Sequence, residues 1–91
     1  MTQDVGPRTE MIRLTSERKK PMLLCLEPLG EQVTLEPCGA YEIMTWGGEA
    51  GNVELILQDD KLIVYGWNGS DSAVFQSGKR IAGMEPPSSR L

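Results

Sequence analysis

The side chains that could perform chemistry in this 91-residue chain are few, and histidine is not among them. Without an imidazole, the chain cannot form a Ser-His-Asp triad, a Cys-His dyad or a histidine-ligated metal site. Cys25 and Cys38 lie thirteen positions apart, which is not the CxxC spacing of common zinc sites. We therefore expect two reduced thiols, one buried in a strand at Cys25 and one in a turn at Cys38, and no metal or other cofactor.

Two loop segments carry residue types that bind ions in other proteins. Asp59 and Asp60 could form a carboxylate pair, but adjacent acids most often form turns, and the ordered oxygen ligands of a calcium loop are missing. The segment 47–52 is rich in glycine. It lacks the Lys-Ser/Thr pair of a phosphate-binding loop and leads into a predicted strand rather than a helix. We expect both segments to be hairpin connections.

Four aromatic side chains remain as candidates, and they are Tyr41, Trp46, Tyr65 and Trp67. Aromatic side chains on a sheet face can stack against sugar rings or bury themselves in a protein partner. They can also close the ends of a β-sandwich, which is the more common role. The sequence leaves these alternatives open.

Charge excludes several partners. The formal net charge is −4, with +2 in residues 1–20 and −6 in residues 21–91. An acidic chain binds polyanions poorly, so we expect neither nucleic acid nor membrane as a partner. The longest apolar run, 22–26, is too short to cross a bilayer, and residues 1–20 lack the apolar segment of a signal peptide. We expect a cytoplasmic protein.

Strand and turn patterns alternate from residue 21 onward, with turn residues recurring roughly every 8–12 positions. This rhythm predicts an all-β fold, a small antiparallel β-sandwich or barrel, with strands at 22–27, 31–36, 40–46, 52–58, 61–67, 72–76 and 79–82. Residues 1–20 contain few apolar side chains, and residues 85–91 contain two prolines. We therefore expect a flexible N-terminal arm at 1–20, a β-sandwich domain at 21–83 and a flexible C-terminal tail at 84–91.

The hairpin around Asp59-Asp60 can be predicted in detail, because successive side chains of a strand point to opposite faces. One face carries no polar group and is the expected core face: Val53, Leu55, Leu57, Leu62, Val64 and Gly66. The opposite face clusters Ile56, Ile63, Tyr65 and Trp67. That cluster is more apolar than a solvated face. Either a second layer covers it or it is an interaction surface.

The segment 33–39, VTLEPCG, followed by Tyr41-Glu42-Ile43, resembles the strand–turn–strand step of cupin-like β-sandwiches. The segment 62–70, LIVYGWNGS, resembles short bacterial proteins of the same general build. The resemblance spans residues 21–82 and implies a small cupin-like or jelly-roll barrel. Enzymatic and metal-binding cupins use histidines on the barrel strands, so the resemblance implies neither metal nor oxygen chemistry for this chain, and it attaches no function.

Two functions of different classes remain open. The first is a non-enzymatic interaction module that forms a homodimer or binds a protein partner through Ile56, Ile63, Tyr65 and Trp67. The second is a small-ligand or carbohydrate-binding domain that uses an aromatic face. A folded unit of about 60 residues buries only about 60% of its unfolded surface, so association would stabilise it. An enzyme is the least favoured reading, because no nucleophile–base pair can be drawn.

Overall fold

The structure is a computed structural model that describes residues 9–49 and 51–87, and these contain eight strands and no helix. The strands are β1 (Thr9–Thr15), β2 (Met22–Glu27), β3 (Glu31–Leu35), β4 (Ala40–Gly47), β5 (Glu54–Leu57), β6 (Lys61–Tyr65), β7 (Ser70–Gln76) and β8 (Lys79–Gly83). The first sheet has the order β1-β4-β7-β8, and the second sheet has the order β3-β2-β6-β5. The predicted all-β sandwich is confirmed, and the two sheets do not close into a barrel.

Every strand pairing is antiparallel except one, since β2 runs parallel to β6. Alternating side chains from the two sheets meet in one core, which contains Leu24, Leu26, Leu35, Tyr41, Ile43, Leu62, Val64 and Val74. Each fully buried aliphatic side chain of this kind stabilises the fold by about 1.5–3 kcal/mol. The hydroxyls of Thr45 and Ser72 are also buried, and they bond to each other at 2.8 Å, which satisfies both groups.

β1 corrects the expectation that residues 1–20 form a flexible arm. The strand pairs with β4 along its whole length, from Thr9 opposite Trp46 to Thr15 opposite Ala40. Its alternation turns two apolar side chains, Ile12 and Leu14, onto the core. Two such side chains suffice because β4 supplies the backbone partners for the rest of the strand.

The predicted boundaries of the chain ends have different outcomes. Residues 84–87 contain no strand, as expected for the tail. The parts of the predicted arm and tail at 1–8 and 88–91 lie outside the described residues. No helix that could span a membrane occurs in residues 9–49 and 51–87.

The hairpin of β5 and β6 has the predicted register. Leu57 lies opposite Leu62, Ile56 opposite Ile63, and Leu55 opposite Val64, while Glu54 lies opposite Tyr65. Both strands are shorter than predicted, and β6 ends at Tyr65 rather than at residue 67. This early end changes where residues 66 and 67 point.

The two sides of the sandwich differ. On one side β8 approaches β3, and the Gly83 amide donates a hydrogen bond of 2.8 Å to the Glu31 carboxylate. On the other side, β1 and β5 are the edge strands of their sheets. A cleft opens there between the two sheets.

Candidate functional site

The outer face of the second sheet holds three of the four side chains predicted to bind a partner. Leu24, Leu26, Leu62 and Val64 point into the core, so the residues between them point away from it. This outer face is arranged in three rows across the strands. The middle row is Cys25, Ile63 and Ile56, one end row is Glu27, Tyr65 and Glu54, and the other end row is Leu23 and Lys61.

The outer face is apolar in its middle and charged at its ends. Ile56 and Ile63 are half-buried, and Cys25 is buried. Tyr65 is 44% exposed and lies between two glutamates in its row. Lys61 stands two residues from Ile63 on the same strand, so it lies about 7 Å from the middle row, on the side opposite to Tyr65.

Trp67 does not belong to this face, which corrects the predicted cluster. Because β6 ends at Tyr65, the strand alternation stops before Trp67. Its side chain is only 5% exposed, and its Nε1 donates a hydrogen bond of 2.6 Å to the Gly47 carbonyl. The indole is packed under a loop and is not available to a partner.

The glycine-rich loop contacts this indole directly. A Cβ added at Gly51 would overlap the Trp67 Cβ, and one added at Gly48 would lie 2.8 Å from the Trp67 Nε1. The loop therefore needs glycine where its backbone crosses the ring. This confirms that the segment connects two strands, and the run of glycines near an aromatic side chain was the signal that Trp67 is covered.

The other aromatic candidates do not form a stacking platform. Tyr41 is 3% exposed and Trp46 is 6% exposed. The Tyr41 hydroxyl accepts a hydrogen bond of 2.8 Å from the Glu36 amide. Of the four aromatic side chains singled out in the sequence, Tyr65 alone presents its ring to solvent.

The cleft between the sheets is a second candidate site, and sequence reasoning missed it. It has a volume of about 320 Å³, and its lining is Leu14, Thr15, Ser16, Glu17, Arg18, Met22, Leu35, Leu55, Leu57 and Leu62. Leu55 and Leu57 were predicted to be core residues, but they are 49% and 70% exposed. They lie on the inward face of an edge strand and line this open cleft, which corrects that part of the predicted core.

The connection after β1 forms one wall of the cleft and is tied to the β5–β6 turn. Arg18 donates hydrogen bonds to the Asp59 carbonyl at 3.2 Å and to the Asp60 carboxylate at 2.6 Å. Asp60 is thus the partner of an arginine, and the two aspartates lie in a hairpin connection, as predicted. The Leu23 amide donates to the Asp60 carbonyl at 3.0 Å, which anchors the same turn to β2.

Two buried polar atoms in this wall have no hydrogen-bond partner among the described residues, and they are Ser16 Oγ and Arg18 Nε. Ser16 is 7% exposed. Its amide donates to the Gly39 carbonyl at 2.9 Å, so the backbone here is fixed. Buried polar atoms are nearly always hydrogen-bonded, so these two atoms mark the polar end of the cleft.

Both cysteines are free thiols, with Cys25 buried in β2 and Cys38 exposed in a turn, as predicted. In the described part of the chain, no three His, Cys, Asp or Glu side chains lie close enough together to hold a metal ion. The expectation of a protein without metal or cofactor stays a prediction.

We expect the two thiols to react very differently in the native protein. Cys38 should react rapidly with DTNB, whereas Cys25, which is 3% exposed, should react only in denaturant because burial blocks access to the thiol. Counting released thionitrobenzoate before and after denaturation measures this. The Cys38→Ser variant should show no rapid phase, and equal rates for the two thiols would contradict the assignment.

No protein-family model matches the chain, and neither curated proteins nor solved structures returned a match. The cupin-like resemblance of residues 21–82 therefore stays a prediction.

Proposed function

We propose that the protein is a non-enzymatic interaction module that forms a homodimer through the outer face of the second sheet. The observation that carries this proposal is the order of the three rows on that face. A lysine row and an acidic row lie on opposite sides of an apolar row. Such a surface is complementary to a second copy of itself.

A two-fold axis through the middle row and perpendicular to the sheet would bring complementary groups together. It would place Lys61 of a second copy over the ring of Tyr65. The carboxylates of Glu27 and Glu54 flank that ring. An ammonium group is attracted both by an aromatic face and by adjacent carboxylates, and the symmetry repeats the contact on the other half of the interface.

The middle rows of the two copies would then bury Ile56 and Ile63 against each other. The face is small, about 15 Å across its four strands and about 17 Å along five residues. Interfaces at this lower end of the size range are typically weak. We therefore expect a dimer that dissociates in the micromolar range.

Ile63→Lys is expected to shift the protein to monomer, because it puts a charge in the apolar row of both copies. Sedimentation velocity over a micromolar concentration series should show twice the chain mass of 10.0 kDa for the parent and the chain mass for the variant. Met11→Lys is the matched control, since Met11 is 52% exposed on the first sheet. It should remain dimeric, and both variants should keep the β-type circular dichroism.

A charge exchange tests the two-fold arrangement itself. Lys61→Glu should weaken the dimer by about tenfold, because it faces two glutamates with a third like charge. Adding Glu54→Lys to that variant should restore part of the affinity. A parent that is monomeric throughout would refute the proposal. An unchanged dissociation constant for Lys61→Glu would refute the proposed interface.

The alternative of a small-ligand or carbohydrate-binding domain with an aromatic face has less support. Trp46 and Trp67 are buried, so a sugar ring would find only Tyr65 to stack on. We place the proposed module in the cytoplasm, and the two free thiols support a reducing compartment.

A further inference from the structure

We propose that the cleft between the sheets binds an uncharged, mainly aliphatic molecule of about ten heavy atoms that carries one hydrogen-bond-accepting oxygen. This site is separate from the proposed dimer interface. The cleft opens on the inward side of β5, where Leu55 and Leu57 lie. Ile56 and Ile63 lie on the opposite side of the same hairpin.

The size and walls of the cleft define the aliphatic part of the ligand. Its volume of about 320 Å³ is at the lower end of the range for small-molecule sites. A group of the size of a water molecule occupies about 30 Å³, so about ten such groups fit. Leucine and methionine side chains from both sheets form most of the lining: Leu14, Met22, Leu35, Leu55, Leu57 and Leu62.

The exposure of two of these side chains shows that the cleft is unfilled by the chain itself. Leu57 is 70% exposed and Leu55 is 49% exposed, although the alternation of β5 turns both toward the space between the sheets. An aliphatic ligand would remove this apolar surface from water, which is the main driving force of binding in such sites.

Ser16 Oγ and Arg18 Nε define the polar part of the ligand. Both atoms are buried without a partner among the described residues, and both residues line the cleft. The arginine Nε–H can only donate, and a serine hydroxyl can donate as well. An accepting oxygen on the ligand would therefore satisfy them. It would reach the hydroxyl after rotation about the Ser16 Cα–Cβ bond.

Charge decides against an ionised head group. The two terminal nitrogens of Arg18 already bond to the Asp59 carbonyl and the Asp60 carboxylate. Glu17 also lines the cleft, and the chain as a whole carries a formal charge of −4. A carboxylate would meet this negative surroundings without a free cation to pair with. A ketone, ester or amide oxygen fits the same donors without that penalty.

The test uses 2-octanone and octanoate as probes of matched length, titrated into the ¹⁵N-labelled protein at neutral pH. We expect 2-octanone to shift the amide resonances of Ser16, Met22 and Leu57, and to bind at least about tenfold more tightly than octanoate. Binding of octanoate that is as tight as that of the ketone would overturn the uncharged head group. No shift at saturating ketone, or shifts confined to other residues, would overturn the site.

Variants separate the two parts of the ligand and distinguish this site from the dimer interface. Ser16→Ala should weaken 2-octanone binding about fivefold through the lost hydrogen bond. Leu57→Asp should weaken it by at least about tenfold, and this exposed position tolerates the change. Ile63→Lys should leave ketone binding unchanged while it disrupts the dimer. Unchanged ketone affinity in Ser16→Ala would refute the head-group assignment and indicate that ordered water satisfies the two buried atoms.

Discussion

Removal of residues 1–15 is expected to unfold the domain, so that urea titration followed by circular dichroism shows no cooperative transition. β1 pairs with β4 over seven residues, and its loss would uncover Tyr41 and Ile43, which are 3% and 1% exposed. Ile12 and Leu14 would also be lost from the core. Burial of two aliphatic side chains contributes up to about 3 kcal/mol each. Together with the lost ladder, this is comparable to the total stability of a small domain, about 5–15 kcal/mol.

A pair of point variants tests the same strand without changing the chain length. Ile12→Asp should lower the free energy of unfolding by about 3 kcal/mol or more, because it places a carboxylate in the core. Met11→Asp, one residue away on the 52% exposed face, should change it by less than about 1 kcal/mol. If the truncated chain keeps the unfolding midpoint of the parent, residues 9–15 are the dispensable arm that the sequence indicated.

Gly83→Ala is expected to lower the free energy of unfolding by about 4 kcal/mol. Gly83 has a φ of +91°, where an L side chain costs about 1–2 kcal/mol. Its added Cβ would also overlap the Ser72 carbonyl oxygen and lie 2.6 Å from the Ala73 Cα. Crowding of this kind typically costs a further 1–3 kcal/mol. The shift of β8 needed to relieve it would strain the hydrogen bond from the Gly83 amide to Glu31, which joins the two sheets.

Gly78→Ala is the matched control for this prediction. Gly78 has a φ of +77°, close to that of Gly83, but a Cβ there would have nothing within 4 Å. It should therefore show the conformational cost alone, about 1–2 kcal/mol. Equal losses for the two variants, measured by urea unfolding, would show that β8 moves freely and that the contact with the Ser72 backbone is unimportant.

The local pattern of the sequence was sufficient for the strands and for the hairpin of β5 and β6. The register around Asp59-Asp60 follows from alternation and a short turn, both of which involve residues close in sequence. The same local reasoning placed Ile56, Ile63 and Tyr65 together on one face. It failed at Trp67, because the end of β6 depends on the loop of Gly48 and Gly51 that crosses the indole, and those residues are distant in sequence.

The sequence by itself determined the fold class, most strand positions, the free thiols and the absence of histidine chemistry, because composition and alternation are properties of short segments. Only the tertiary structure decided that β1 joins a sheet, that β2 runs parallel to β6, and that β5 overhangs an open cleft. Each of these depends on which strands lie side by side, and alternation along a single strand cannot specify its neighbour. The unpaired atoms at Ser16 and Arg18 have the same origin, since their surroundings come from three separate parts of the chain.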